Sequence, residues 1–142
     1  VKILYTAEAL ATGEGRNGHT RTSDGHLDLD LAIPKEMGGS GEGTNPEQLF
    51  AAGYAACFHS ALQMVARAAG ANVADSAVGA QVGIGPTGTG GFALAITLEI
   101  SLPHLPHTEA LALTEQAHQV CPYSNATRGN VEVTLTVTDE DD

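Results

Sequence analysis

Tryptophan is absent from the 142 residues, and phenylalanine and tyrosine supply only three side chains each. A core with so few rings must be filled by aliphatic residues and alanine. Basic residues are equally scarce: six Lys and Arg stand against 17 Asp and Glu, a formal charge of −11. Nucleic acid and anionic membranes both select for a basic patch, so neither is an expected partner. No run of 18 consecutive apolar residues occurs, and no charged leader precedes an apolar segment; the expectation is a soluble, cytoplasmic protein. Two cysteines are too few for a disulfide scaffold and, in a reducing compartment, are reactive or buried rather than structural staples. The length fits one domain, 1–142, large enough to bury a core.

What is present is organised around residues 45–69. Asn45 can cap a helix, Pro46 fits its first turn, Glu47 places a negative charge at the positive dipole end, and Gly70 follows as a stop. The predicted helix spans roughly 36 Å. From Leu49 to Leu62 it is apolar nearly all round, the pattern of a helix buried on every side. Short strands and one amphipathic helix cannot cover that circumference, so its remaining face needs a partner. A second copy of the chain, as a two-fold homodimer, is the expectation.

Before this helix the chain predicts a meander. Residues 1–12 form a first strand, residues 13–18 a turn with Asn17-Gly18 as a hairpin signal, 19–23 a second strand, and 27–33 a cleanly alternating third that Pro34 ends. A Gly-rich loop, 38–44, leads into the helix. Beyond Gly70, strands are predicted over 73–84 and 92–102. A helix follows over 108–120, with Leu111, Thr114, His118 and Cys121 on one stripe, closed by Pro122. After an irregular run, 123–126, a last strand covers 131–137 and the acidic residues 139–142 are expected to fray. The order βββ-α-ββ-α-β is an α+β fold.

Cys57, in the middle of the long helix, is either a core residue or a reactive thiol. Burial pushes a thiol pKa up, and the residue lies beyond reach of the helix dipole, so reactivity requires a nearby cation. Arg16, in a Gly-rich turn able to fold over a helix face, is the candidate, against the alternative of an exposed hairpin arginine. Glu47 can hold Arg16 by a bidentate pair, or can simply favour the helix dipole. A regular helix would put Glu47 roughly 15 Å along the axis from Cys57. Either the helix starts later, or one of these groups reaches the site from a second subunit. Cys121, followed by Pro122, is a buried residue or the second member of a redox pair. A zinc set of Cys57, His59, His118 and Cys121 is disfavoured, because residues 57 and 59 point about 200° apart on a helix.

Residues 44–58, Thr-Asn-Pro-Glu-Gln-Leu-Phe-Ala-Ala-Gly-Tyr-Ala-Ala-Cys-Phe, and 120–130, Val-Cys-Pro-Tyr-Ser-Asn-Ala-Thr-Arg-Gly-Asn, resemble the two signature stretches of bacterial organic hydroperoxide resistance proteins, within the OsmC-like superfamily. Residues 15–18, Gly-Arg-Asn-Gly, resemble the family's arginine turn. The resemblance implies a thiol peroxidase that reduces organic and fatty-acid hydroperoxides to alcohols. Cys57 matches the peroxidatic cysteine, Cys121 the resolving one, Arg16 the activating arginine and Glu47 the carboxylate that positions it. It further implies an intertwined homodimer, with long central helices packed against antiparallel sheets. No bound cofactor or metal is implied; the reductant would be an external dithiol, dihydrolipoamide or a lipoylated protein. Phe50, Tyr54 and Phe58 are candidates for an apolar wall beside Cys57. Two alternatives use the same features: a thiol redox sensor, and a module that holds a lipid in the apolar groove.

Overall fold

A computed structural model of the chain describes residues 1–138, so the expected fraying of residues 139–142 lies outside the described residues. It divides into two compact units, Val1–Leu49 and the remainder from Phe50 onward. The α+β class and the order of elements are as the sequence predicts, with one added helix.

In the first unit, β1 (Ala9–Thr12), β2 (His19–Thr22) and β3 (Asp28–Asp30) form the antiparallel meander β1-β2-β3. The strands are shorter than the alternation predicts. Residues 1–8 carry no regular structure, and Ile3, Leu4 and Tyr5 are exposed; among the described residues no strand pairs with them. The β1–β2 connection is a six-residue loop holding a 3₁₀ turn at Gly15–Asn17 rather than a two-residue Asn-Gly hairpin. Asn17 is used otherwise: its Oδ1 accepts the Ile33 N–H at 3.1 Å.

The second unit begins within α1 (Pro46–Ala68), about 34 Å long. Asn45 caps it as expected, its Oδ1 accepting the Gln48 N–H at 2.9 Å. Gly70, with φ +69°, ends it: Gly70 N–H donates to Arg67 O and Ala71 N–H to Ala66 O. That is a Schellman closure, whose left-handed residue carries no Cβ penalty only as glycine. By length and composition α1 is apolar enough to cross a membrane. Tyr54, Phe58, Ala61, Leu62 and Ala66 are nevertheless buried in the protein's main hydrophobic cluster, the pattern of a core helix.

The sheet of this unit has the order β4-β5-β6, from β4 (Ala77–Pro86), β5 (Phe92–Ser101) and β6 (Glu132–Val137). Ile96, Leu98 and Ile100 of β5 point inward, flanked in register by Val82, Ala80 and Val78 on one side and Val133, Leu135 and Val137 on the other. The sheet is mixed rather than wholly antiparallel: β6 runs parallel to β5. A parallel neighbour needs a long crossover, and α2 (His107–Val120) and α3 (Pro122–Thr127) supply it. The buried stripe of α2 is Ala110, Leu113, Thr114 and Ala117; of the predicted stripe Thr114 and Cys121 are buried, His118 is partly buried and Leu111 lies at the surface.

One correction bears on the site. Pro122 does not simply close a helix, and residues 123–126 are not irregular. Pro122 opens α3, where its missing N–H is no loss. Cys121 is the extended residue (φ −66°, ψ 125°) between the two helices.

Replacing the cap, Asn45→Ala, is expected to lower stability by about 1 kcal/mol. Urea unfolding should show a lower midpoint with an unchanged slope.

Candidate active site

Two pairs of predicted residues meet. The first is Arg16 with Glu47, 31 positions apart. Leu31 N–H donates to Gly18 O, just after the 3₁₀ turn, while Ala32 N–H donates to Thr44 O and Thr44 N–H to Asp30 O. With the Asn17 side chain bound to Ile33, this short ladder carries residue 44, and hence the first turn of α1, beside the arginine turn. Arg16 Nη1 donates to Glu47 Oε2 at 3.0 Å, and Nη2 lies 2.8 Å from Oε1. The second contact is an ion pair without hydrogen-bond geometry, since buried Oε1 has no proper donor. The guanidinium is therefore fixed at one end but retains free N–H groups. The hydrogen bond to Glu47 and, against a small opposing effect of burial, the carboxylate charge raise the Arg16 pKa.

The second pair is Cys57 with Cys121, 64 positions apart and with their Sγ atoms at 3.7 Å. Both are free thiols; Cys57 is half-buried and Cys121 fully buried. Cys57 faces the junction between α2 and α3 because it follows Tyr54 and precedes Phe58 on the buried side of α1. Its pKa is raised, first by burial and further by the Cys121 thiol, while the backbone N–H of Tyr123 at the start of α3 pulls it down. Among the described residues of its own unit, no cation acts on it.

Two of the suggested wall residues, Phe50 and Tyr54, meet groups that the sequence did not single out, Tyr123, Ser124 and Thr127. Phe50, Tyr54 and Tyr123 form a ring cluster with centroids 5.6 to 6.2 Å apart. Gly53 makes room for it: a Cβ there would lie 2.7 Å from Tyr123 Oη and 3.2 Å from Cζ. Tyr54 and Phe58 are wholly buried, so of the three suggested wall residues only Phe50 remains partly accessible. Beneath the rings, Tyr54 Oη bonds Ser124 Oγ at 2.8 Å and Thr127 Oγ1 at 3.2 Å, and His118 Nδ1 bonds Ser124 Oγ at 2.8 Å. The sequence signal for this cluster was Pro122, read as a helix stop instead of a helix start. The histidines once weighed as zinc ligands are engaged otherwise: His59 Nε2 bonds Ser76 Oγ at 2.9 Å, and His118 bonds Ser124. Among the described residues no three His, Cys, Asp or Glu side chains gather as a metal site.

Chemically, the second unit offers one accessible sulfur, one buried sulfur almost in contact, and a single N–H aimed at the accessible one. A sulfur–sulfur bond is about 2.05 Å long, so modest rotamer and backbone adjustment separates the two thiols from a disulfide.

Residues 39–136 match the OsmC-like protein family. The chain is 51% identical over 138 residues to the organic hydroperoxide resistance protein of Xanthomonas axonopodis pv. citri, covering 96% of each. It is 46% identical over 133 residues to the organic hydroperoxide resistance protein OhrB of Bacillus subtilis, covering 93% of this chain and 96% of that one. Among solved structures, an organic hydroperoxide resistance protein from Legionella pneumophila superposes with TM-score 0.93 at 52% identity, over 97% of this chain and 100% of that one. One from Elizabethkingia anophelis gives 0.93 at 51%, over 98% and 99%.

Gly53→Ala should leave stability within about 1 kcal/mol of the wild type, because the gain in helix propensity and the loss of ring packing are of similar size. The Tyr123 ring must move, so the near-ultraviolet circular dichroism of tyrosine is expected to change.

Proposed function

The chain belongs to the OsmC-like family, in its organic hydroperoxide resistance branch, and on that premise we propose that it reduces organic hydroperoxides to alcohols with Cys57 as nucleophile and Cys121 as resolving thiol. The observation that carries this reading is the 3.7 Å approach of the two sulfurs. The Cys57 thiolate attacks the distal peroxide oxygen; the S–O bond forms as O–O breaks, and the departing alkoxide takes a proton to become the alcohol. Cys57 is left as the sulfenic acid. The Cys121 sulfur then displaces hydroxide from it, releasing water and closing the disulfide.

An external dithiol of the dihydrolipoyl type, free or carried on a protein, returns both sulfurs to thiols. Accessibility supports a dithiol: only Cys57 is partly open, and a mixed disulfide formed there is released faster by a second thiol on the same reductant than by a second molecule that must enter. No bound cofactor enters this cycle. The two units act as one OsmC-like domain, since the family match crosses the boundary at residues 49 and 50, and the cytoplasm supplies the reducing environment.

Ionising Cys57 against burial needs a cation, and Arg16 is that cation. Its free N–H groups would also receive the alkoxide charge. Because α1 is regular from Pro46, Glu47 and Cys57 lie ten residues, roughly 15 Å, apart along its axis. Arg16, held at Glu47, therefore serves the thiol of a second copy in a homodimer. Ala52, Ala56, Ser60 and Met64 support such an assembly: they form a stripe of mostly apolar side chains left exposed along the middle of α1.

One equivalent of cumene hydroperoxide should lower the wild-type monomer mass by two hydrogens and leave a peptide linking residues 57 and 121. Cys57→Ser should consume no peroxide, and Cys121→Ser one equivalent before passing to sulfinic acid. Turnover should be sustained by dihydrolipoamide and far more weakly by a monothiol. Recovering Cys121 fully alkylatable after the wild-type reaction would contradict the resolving role. In a second experiment, Arg16→Met and Cys57→Ser chains are each inactive as homodimers. Co-refolded, they should regain activity, because one site of each heterodimer is then intact; no recovery would mean that Arg16 acts within its own chain.

A further inference from the structure

The hydroxyl cluster under the thiols has a regular placement. Tyr54 stands one turn before Cys57 on α1, and His118 one turn before Cys121 on α2; Ser124 stands one turn after Cys121 on α3. The same three elements that must hold two sulfurs together are thus bonded to one another directly beneath them. Ser124 and Tyr54 are completely buried and Thr127 nearly so, so each hydroxyl left without a partner would be costly. Ser124 Oγ is the hub. The two groups that interact with the Cys57 sulfur from across the cluster, the Tyr123 N–H and Cys121 Sγ, belong to α3 and to the residue just before it.

We propose that His118 is a positioning residue for the thiol pair: through Ser124 it fixes α3, and with it the Tyr123 N–H and the Cys121 sulfur, against Cys57. The assignment rests on the peroxidase reading for its consequences, though the geometry of the cluster does not. Thr127 uses its own proton on Ser124 O, at 3.3 Å. With a neutral imidazole that carries its proton on Nε2, the remaining protons run one way, Tyr54 to Ser124 and Ser124 to His118 Nδ1, and every hydroxyl is satisfied. A protonated imidazole must donate, and the Ser124 and Tyr54 hydroxyls then have to turn round. The charged groups acting on His118 are Arg128, whose Nη2 also bonds His118 O at 3.0 Å, and Glu115 on its own helix; the uncharged Tyr54 hydroxyl faces it across Ser124. Burial first, and then Arg128, hold the His118 pKa down, with Glu115 opposing, so the neutral imidazole prevails at neutral pH.

The test compares wild type with His118→Leu, His118→Asn and Ser124→Ala. Asparagine places an acceptor near the position of Nδ1 but cannot titrate. Iodoacetamide alkylation of Cys57 against pH, which needs no peroxide, reads the hold of the Tyr123 N–H on the sulfur. The rate of disulfide closure after one equivalent of cumene hydroperoxide reads the placement of Cys121. His118→Leu and Ser124→Ala should move the alkylation profile to higher pH and slow closure by about tenfold to a hundredfold. His118→Asn should restore both.

The ratio of the wild-type to the His118→Asn closure rate should fall only at a pH below the ordinary histidine range, since His118 is held down and only the wild type titrates there. A wild-type alkylation profile in folded His118→Leu or Ser124→Ala overturns the proposal. So does a rate ratio that stays flat down to the lowest pH at which both proteins remain folded. If no disulfide forms in any protein, the peroxidase reading fails, and the alkylation profiles alone decide the role of His118.

Discussion

Burial in an apolar core favours the neutral thiol, and at Cys57 that effect outweighs the opposing pull of the Tyr123 N–H. The candidate site is built around this constraint. The apolar surroundings hold the proton on the sulfur that the proposed reaction needs as its nucleophile. A single backbone N–H is a weak answer, because it supplies a partial charge and one hydrogen bond. A full positive charge is the stronger one, and a chain with only six basic residues has few to offer. Arg16 is held in readiness by a carboxylate rather than left loose on a hairpin, which is why that pair belongs with the thiols in the proposed reaction.

The elements of the fold that were legible in the sequence are those fixed by local chemistry. Asn45, Pro46 and Gly70 each act within a few residues of themselves, and the ends of α1 fall where they say. The alternation of β5 and β6 places Ile96, Leu98, Ile100, Val133 and Leu135 inward because a strand has only two faces. Cys57 and Cys121 were both visible as candidates, but their meeting was not. Nothing within ten residues of either sulfur specifies a contact 64 positions away, and only the resemblance of two long motifs to a known family joined them.

What was misread depended on partners. Alternation says which face of β6 is buried but not which way the strand runs, and its direction followed from the helices that cross between it and β5. The stripe on α2 holds at Thr114 and Cys121 and fails at Leu111, which is exposed while small Ala110 and Ala117 are buried. Pro122 was ambiguous in principle, since proline suits both the residue after a helix and the first residue of one. Resolving it toward a stop hid α3, and with α3 the Tyr123 N–H, Ser124 and the role of His118.

The choice of arginine beside Glu47 follows from the same electrostatics. A carboxylate partner drains some of the positive potential that a thiolate or an alkoxide would feel, so the pair is a compromise. A lysine would lose most from it: one compact ammonium bound to Glu47 has its charge centre at the carboxylate. A guanidinium spreads its charge over three nitrogens and five N–H groups, so one edge can rest on Glu47 while another stays available. Glu47 also removes the freedom that a long exposed side chain would otherwise lose at the moment of reaction. It is three-quarters enclosed or more, with 12% of its side chain accessible against 35% for Arg16, so the anchor is the buried member and the cation the reachable one. That order of burial suits a group that must be fixed at its base and open at its tip, and it is the opposite of what a purely structural surface ion pair requires.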